Sequence, residues 1–401
     1  MATLARQPAP ALLCVAGLLS LAAAMGIGRF AFTPMLPLML RGGQIDVAWG
    51  GWLASANYAG YLAGALSAAR VPLRAPALAI LALALTAVLT AAMALPAGSA
   101  TWLALRFAAG VCSAWVFVAT AIWCLGALAD AGRPSLAGAV YSGVGAGISL
   151  AGLYCLAGSA AGASAPSLWL QLGGVALVLG LPVAVVLARL RPTAAHGPVP
   201  AQAAQAAMPR GCWGLVACYG VFGFGYILPA TFLPVLARSV VDDPRLFGLA
   251  WPLFGITAAA STLLAAAWMR RASRLQVWAV CHLLMAAGLL LPSLWLNAAT
   301  IAMSALLVGG TFMVITMAGV QEIRARAVGD ATRLVGRMTA AFAIGQIAGP
   351  VLSALLVQRA GGDALALALQ AGAASLLLSA AWLWRFSIPT TSRQEIPHGI
   401  R

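Results

Sequence analysis

The 401 residues are 63% hydrophobic and only 8% charged, against about 25% charged in a soluble domain, so no water-soluble core accommodates this apolar surface. The 23 basic residues are all arginine and face eight acidic ones, a net charge of +15; spread through apolar sequence, this points to membrane topology ahead of nucleic acid. The seven cysteines sit in apolar stretches without CxxC spacing, and no zinc, haem, H-E-x-x-H or G-x-S-x-G pattern occurs. The chain is expected to hold no metal or cofactor, to bind no nucleic acid and to be no enzyme.

A bilayer-crossing helix needs about 20 predominantly apolar residues. Breaks at Arg, Pro and Gly/Asp clusters predict twelve, at 11–40, 47–69, 75–96, 101–127, 137–160, 167–188, 211–237, 247–268, 275–296, 299–321, 335–357 and 364–386. The first also resembles a secretion signal, with Arg6, an apolar run and Ala22-Ala23-Ala24, but eleven spans follow and it reads as a span. Counting loops alternately from an inside N-terminus puts 17 of the 23 arginines inside; Arg41, Arg238, Arg245 and Arg359 lie outside, and Arg29 and Arg106 lie within spans. Both termini are therefore expected in the cytoplasm, with the protein in a bacterial-type inner membrane. Tryptophans near span ends, Trp102, Trp123, Trp169, Trp251 and Trp278 among them, read as a headgroup belt, and only Trp115 sits well inside.

The longest polar connection, 189–210, separates an N-terminal six-helix bundle (1–188) from a C-terminal one (211–386), followed by a cytoplasmic tail (387–401). Aligned across that linker, Gly26-Ile-Gly-Arg-Phe-Ala-Phe-Thr-Pro-Met-Leu-Pro-Leu-Met-Leu-Arg41 meets Gly223-Phe-Gly-Tyr-Ile-Leu-Pro-Ala-Thr-Phe-Leu-Pro-Val-Leu-Ala-Arg238, with five of sixteen positions identical. Six spans lie between the copies, so the repeat is parallel. It predicts an all-α membrane protein of twelve transmembrane helices in two six-helix halves related by a pseudo-two-fold along the membrane normal, with a site between them near the midplane.

The motif Gly26-Ile-Gly-Arg-Phe-Ala-Phe-Thr-Pro-Met-Leu-Pro, with Trp52-Leu-Ala-Ser-Ala-Asn-Tyr-Ala-Gly-Tyr-Leu-Ala-Gly, resembles the YbfB/YjiJ-type branch of the major facilitator superfamily. Arg106-Phe-Ala-Ala-Gly110 is similar to that superfamily's Arg-x-x-x-Gly motif, and Gly309-Gly-Thr-Phe-Met with Gln321-Glu322 to the branch's tenth span. The resemblance covers essentially the whole chain and implies a transporter. Two motifs depart from it: Ser67-Ala-Ala-Arg70-Val-Pro-Leu-Arg74 lacks the Asp of the loop after span two, and Gly143-Val-Gly-Ala-Gly147 lacks the Pro of span five.

Arg29 is the first candidate for substrate binding. A guanidinium cannot shed its charge, costs about 2.5 to 3.5 kcal/mol in hydrocarbon on the mildest scale, and lies about 16 Å below the outer end of its span. It either binds an anion or satisfies carbonyls freed near Pro34 and Pro37. Arg106, about 8 Å deep, either holds the bend of span one, as the resemblance implies, or touches substrate or serves a proton relay. Asn57, Tyr58, Tyr61, Tyr226 and Gln346 are candidate cavity-lining groups, Tyr226 standing opposite Arg29 in the repeat; each serves equally as an interhelical hydrogen bond. Gly26, Gly28, Pro34, Gly223, Gly225, Pro229, Gly349 and Pro350 weaken the backbone ladder and are candidate hinges. His282, on a scaffold helix, reads as an interhelical bond. No Asp or Glu lies well inside a span, although Glu322, at an inner end, would alter the charge balance by turning inward.

The expected function is secondary active transport of a small organic solute, an organic anion by charge balance, by a monomer in the lipid bilayer, with substrate, direction and coupling ion unspecified. The alternatives are an efflux pump for amphipathic drugs and a non-transporting membrane sensor or scaffold.

Overall fold

The computed structural model describes residues 8–96, 98–189, 211–238, 240, 244–327, 331–360 and 364–387. Of the expected linker and tail only Arg189 and Ser387 fall among them. Apolar runs rich in Ala and Leu satisfy their backbone internally as helix, the economical solution in lipid, and no strand occurs among the described residues. The helices are α1 (Pro10–Leu21), α2 (Phe32–Arg41), α3 (Val47–Ser67), α4 (Ala75–Ala92), α5 (Ser99–Asp130), α6 (Ala137–Ala160), α7 (Ala165–Ala188), α8 (Cys212–Arg238), α9 (Pro244–Trp268), α10 (Arg274–Leu294), α11 (Ala298–Ala325), α12 (Thr332–Ala360) and α13 (Ala364–Ser387). A π-helical turn, Ala22–Ile27, joins α1 to α2 as one bent rod, and every rod end falls within four residues of its sequence expectation.

The ends carry ordinary stop and start chemistry. Asp46 accepts the Trp49 N–H at 2.7 Å, and capping boxes at Ser273/Gln276 and Asn297/Thr300 open α10 and α11. Gly43, Gly132 and Gly162, at φ +66°, +67° and +77°, follow α2, α5 and α6 in the left-handed conformation that glycine adopts without a Cβ penalty.

Among the described residues, ten rods are long and apolar enough to cross a membrane. α3 and α12 carry Asn57, Tyr58 and Tyr61, and Arg333, Arg337 and Gln346, and they pack against each other. That contact and the one between α6 and α9 tie the first six rods to the last six. The α6–α9 seam is built on glycine: a Cβ at Gly145 would strike the backbone of Gly255 and Ala259, and one at Gly152 would strike Pro252. Leu264, Leu378 and Val178 are among the side chains on the outer surface, as lipid contact allows. Trp52, Trp213 and Trp295 are also outward. Trp169 and Trp278, expected in a headgroup belt, instead lie buried in the helix core, and Trp102 and Trp123 nearly so, because neighbouring helices cover the span ends on which they sit.

Candidate substrate site

The site begins with the break in the first rod. Gly28 and Phe30 donate to Ala23 and Met25 at 2.9 and 3.0 Å, each reaching back five residues, the widened register of a π-turn, which recurs at functional positions. Pro34 has no N–H to give the Phe30 carbonyl, which takes the Thr33 N–H at 3.2 Å instead. The turn also lies against α6 so closely that a Cβ on Gly26 would overlap the backbone of Gly147. Arg106, on α5, donates to the carbonyls of Gly28 and Arg29, both at 3.4 Å, with its guanidinium 4.6 Å over the Phe32 ring. Asn57 donates to the Arg106 carbonyl at 3.0 Å, so α3, α5 and the break are linked in series.

Arg29 points the other way. It is 2% exposed, and its Nη2 donates to Oε1 of Gln346 on α12, 317 residues away and in the other group of six rods. Its guanidinium carbon stacks 3.7 Å over the Tyr61 ring and lies 5.8 Å from that of Tyr58, a cation–π arrangement. Nε and Nη1 of Arg29 and Nε2 of Gln346 are buried with no hydrogen-bond partner, as is the Tyr226 hydroxyl. A buried donor left unpaired costs about 1–3 kcal/mol, more for a charged group.

Aromatic rings surround this cluster. Tyr226 stacks on Phe312 at 5.0 Å and on Phe342 at 6.0 Å. Phe312 continues to Phe254 at 5.2 Å, Phe254 to Trp251 at 5.2 Å, and Phe30 meets both Trp251 and Phe312 edge-on. Phe30 and Phe312 entered the sequence reading only inside the family-like motifs, with no role of their own, and Phe254 and Phe342 read as ordinary core residues. Helical spacing was the available signal: Phe342 is four residues before Gln346, and Trp251 three before Phe254, so each pair shares a face.

The sequence candidates thus divide. Arg29, Tyr58, Tyr61 and Gln346 come together; Tyr226 is joined to them through Phe342, and the group that meets Arg29 is Gln346 rather than Tyr226. Asn57 and Arg106 engage the backbone beside the break, although Asn57 Oδ1 and Arg106 Nε have no partner. Of the hinge candidates, Gly26, Gly28 and Pro34 lie at the break, whereas Gly223, Gly225 and Pro229 lie in the uninterrupted α8. Gly223 faces the Phe342 backbone, Gly225 faces Leu376 and Gly349 faces Ile227; the Pro350 side chain lies outside the described residues.

Glu322 does not turn towards Arg29: it pairs with Arg274 at 2.9 Å and Arg326 at 2.7 Å. His282 accepts from Trp278 Nε1 at 2.9 Å within the same helix, so the bond expected between helices is a local one, made possible by their i,i+4 spacing. Two surface recesses, of about 210 and 470 Å³, are lined by the Arg274–Glu322 region and by the Arg41–Ser159 region, and neither includes Arg29 or Gln346.

Apolar rods of this length, packed about a buried cation that bridges two groups of six, define a multi-pass integral membrane protein. Residues 21–383 match the family described as "Uncharacterised MFS-type transporter YbfB", and the chain belongs to that family of major facilitator transporters. The fold is shared with the human organic anion transporter MFSD10 (TETRAN), at a TM-score of 0.67 and 16% identity, over 93% of this chain and 98% of that one. No curated protein matches the sequence.

Proposed function

We propose that the chain is a secondary active transporter that moves a small organic anion across a bacterial-type inner membrane by alternating access, with Arg29 holding the anion. The observation that carries this is the partly satisfied Arg29 guanidinium: Nη2 donates to Gln346, but Nε and Nη1 lie buried without a partner, and an incoming anion supplies the acceptors and the charge they lack. Gln346 Nε2 and the Tyr226 hydroxyl are further unpartnered donors, so this region offers donors in excess. Tyr58 and Tyr61 flank the cation, and Arg106 with Asn57 supports its backbone.

In this scheme, two six-helix halves (1–188 and 211–386), related by a pseudo-two-fold along the membrane normal and joined by a cytoplasmic linker (189–210), rock about the Arg29–Gln346 bridge. All twelve rods span the bilayer, the tail (387–401) and both termini are cytoplasmic, and the unit is a monomer. Bending occurs at the break around Gly26, Gly28 and Pro34, and at Gly223, Gly225, Pro229, Gly349 and Pro350.

The test is the melting temperature of the purified protein, wild type and Arg29→Ala, with organic anions, neutral solutes and tetraphenylphosphonium, since a ligand that binds the folded state raises it. Anions raise it in the wild type and not in the variant. Stabilisation by the lipophilic cation alone overturns the proposal in favour of amphipathic-drug efflux, which the aromatic walls also suit.

A further inference from the structure

We infer that the anion is a flat aromatic monocarboxylate, one whose carboxylate meets Arg29 while its ring packs against the aromatic wall formed by Phe312, Tyr226, Phe254 and Trp251. This rests on the anion-site reading above and narrows it in charge and in shape.

The charge count comes first. Arg29 keeps two donors free, Nε and Nη1, whereas Arg106, the other arginine buried deep in the rods, spends Nη1 and Nη2 on the carbonyls of Gly28 and Arg29, covers Phe32 and keeps only Nε. A second carboxylate on the substrate would have to draw Arg106 off the carbonyls that hold the break or stay unpaired in a buried region, and either is unfavourable. A substrate ammonium fares no better. The described acidic residues are Asp46, which caps α3, Asp130, at the end of α5, and Glu322, held by two arginines; none lies beside Arg29. One negative charge and no positive one is what the site accommodates.

Shape follows from the rings. Trp251 and Phe254 are within 4° of parallel, Phe254 and Phe312 within 27°, and Phe312 and Tyr226 within 20°. Successive near-parallel faces about 5 Å apart form a stack drawn from α8, α9 and α11, and Phe30 brings α2's preceding turn to its edge. A planar π-body laid against this wall meets its rings face to face or edge to face, whereas a puckered aliphatic ring of equal carbon count does not, and the difference is about fivefold in affinity. Phe30, from the first group of six rods, covers Trp251 and Phe312 of the second in the conformation seen, so entry requires it to draw away and the substrate ring to take its place against the wall.

The probe set is benzoate, 2-naphthoate, cyclohexanecarboxylate, phthalate and phenylalanine, with dissociation constants read from concentration-dependent melting shifts. Benzoate is expected to bind about fivefold tighter than cyclohexanecarboxylate, 2-naphthoate tighter still, and phthalate and phenylalanine at least about tenfold weaker than benzoate. Phe312→Leu and Phe254→Leu, made separately so that one misfolding variant leaves the other, are expected to abolish the preference for benzoate while leaving cyclohexanecarboxylate bound. Equal binding of benzoate and cyclohexanecarboxylate, or tighter binding of phthalate, overturns the aromatic monoanion and leaves the anion site standing. Absence of binding by every carboxylate, or binding unchanged in Arg29→Ala, overturns both.

Discussion

The first rod and α8 share Gly-x-Gly, Leu-Pro and a closing Arg at matching positions, yet the first breaks at a π-turn and α8 runs unbroken from Cys212 to Arg238. The same glycine pair is therefore permissive and not decisive. Close approach does not separate them, since Gly26 lies against the backbone of Gly147 and Gly223 against that of Phe342; what the first copy has is Arg106, which caps the Gly28 and Arg29 carbonyls. The break turns position 29 towards the other half, and the matching residue, Tyr226, becomes part of the aromatic wall. One copy carries the charge and the bend, the other the flat surface.

Removing the close approach at the break carries the largest expected effect. Gly147→Val drives a branched side chain into the Ala22–Gly26 backbone, and the expected loss is about 3 kcal/mol, seen as a sharp fall in melting temperature and in monodisperse yield. Gly310, with open space around its Cβ position, is the control: Gly310→Ala leaves both unchanged. Next comes Arg106→Ala, which strips the donors from two carbonyls buried at the break and costs about 2 kcal/mol. Its melting temperature falls while the anion-induced shift survives, which separates support of the backbone from contact with substrate.

How far the sequence reached follows from the range of each interaction. Rod boundaries are local, set by apolar run length and by breaks at Arg, Pro and Gly, and all twelve were legible. Arg29 was legible because a charge in hydrocarbon needs an explanation wherever its partner lies. The partner itself, Gln346, was one of several candidates, since contact across 317 residues leaves no periodicity to read. The π-turn was invisible for a related reason: the groups that hold it, Gly147 and Arg106, lie on other helices. Phe254 and Phe342 were silent, and Phe312 showed only as part of a motif, because an apolar residue on an apolar helix looks the same whether it faces lipid, core or ligand.

Arg29 and Tyr226 sharpen the comparison with smaller effects of opposite character. Arg29→Met removes a buried cation that lacks a carboxylate, so the ligand-free protein is expected to gain about 1 kcal/mol, part of the gain being offset by the Gln346 oxygen left without its donor. The melting temperature rises as the response to benzoate disappears, a trade of stability for function opposite in sign to Arg106→Ala. Tyr226→Phe is the smallest change. Its hydroxyl has no partner to lose and its ring keeps both stacks, so unliganded stability is expected to stay within about 0.5 kcal/mol. If that hydroxyl donates to the bound anion, benzoate affinity falls by at least about tenfold, the worth of one hydrogen bond to a charged group; an unchanged affinity would assign Tyr226 to the stack alone and leave Arg29 and Gln346 to make the polar contacts.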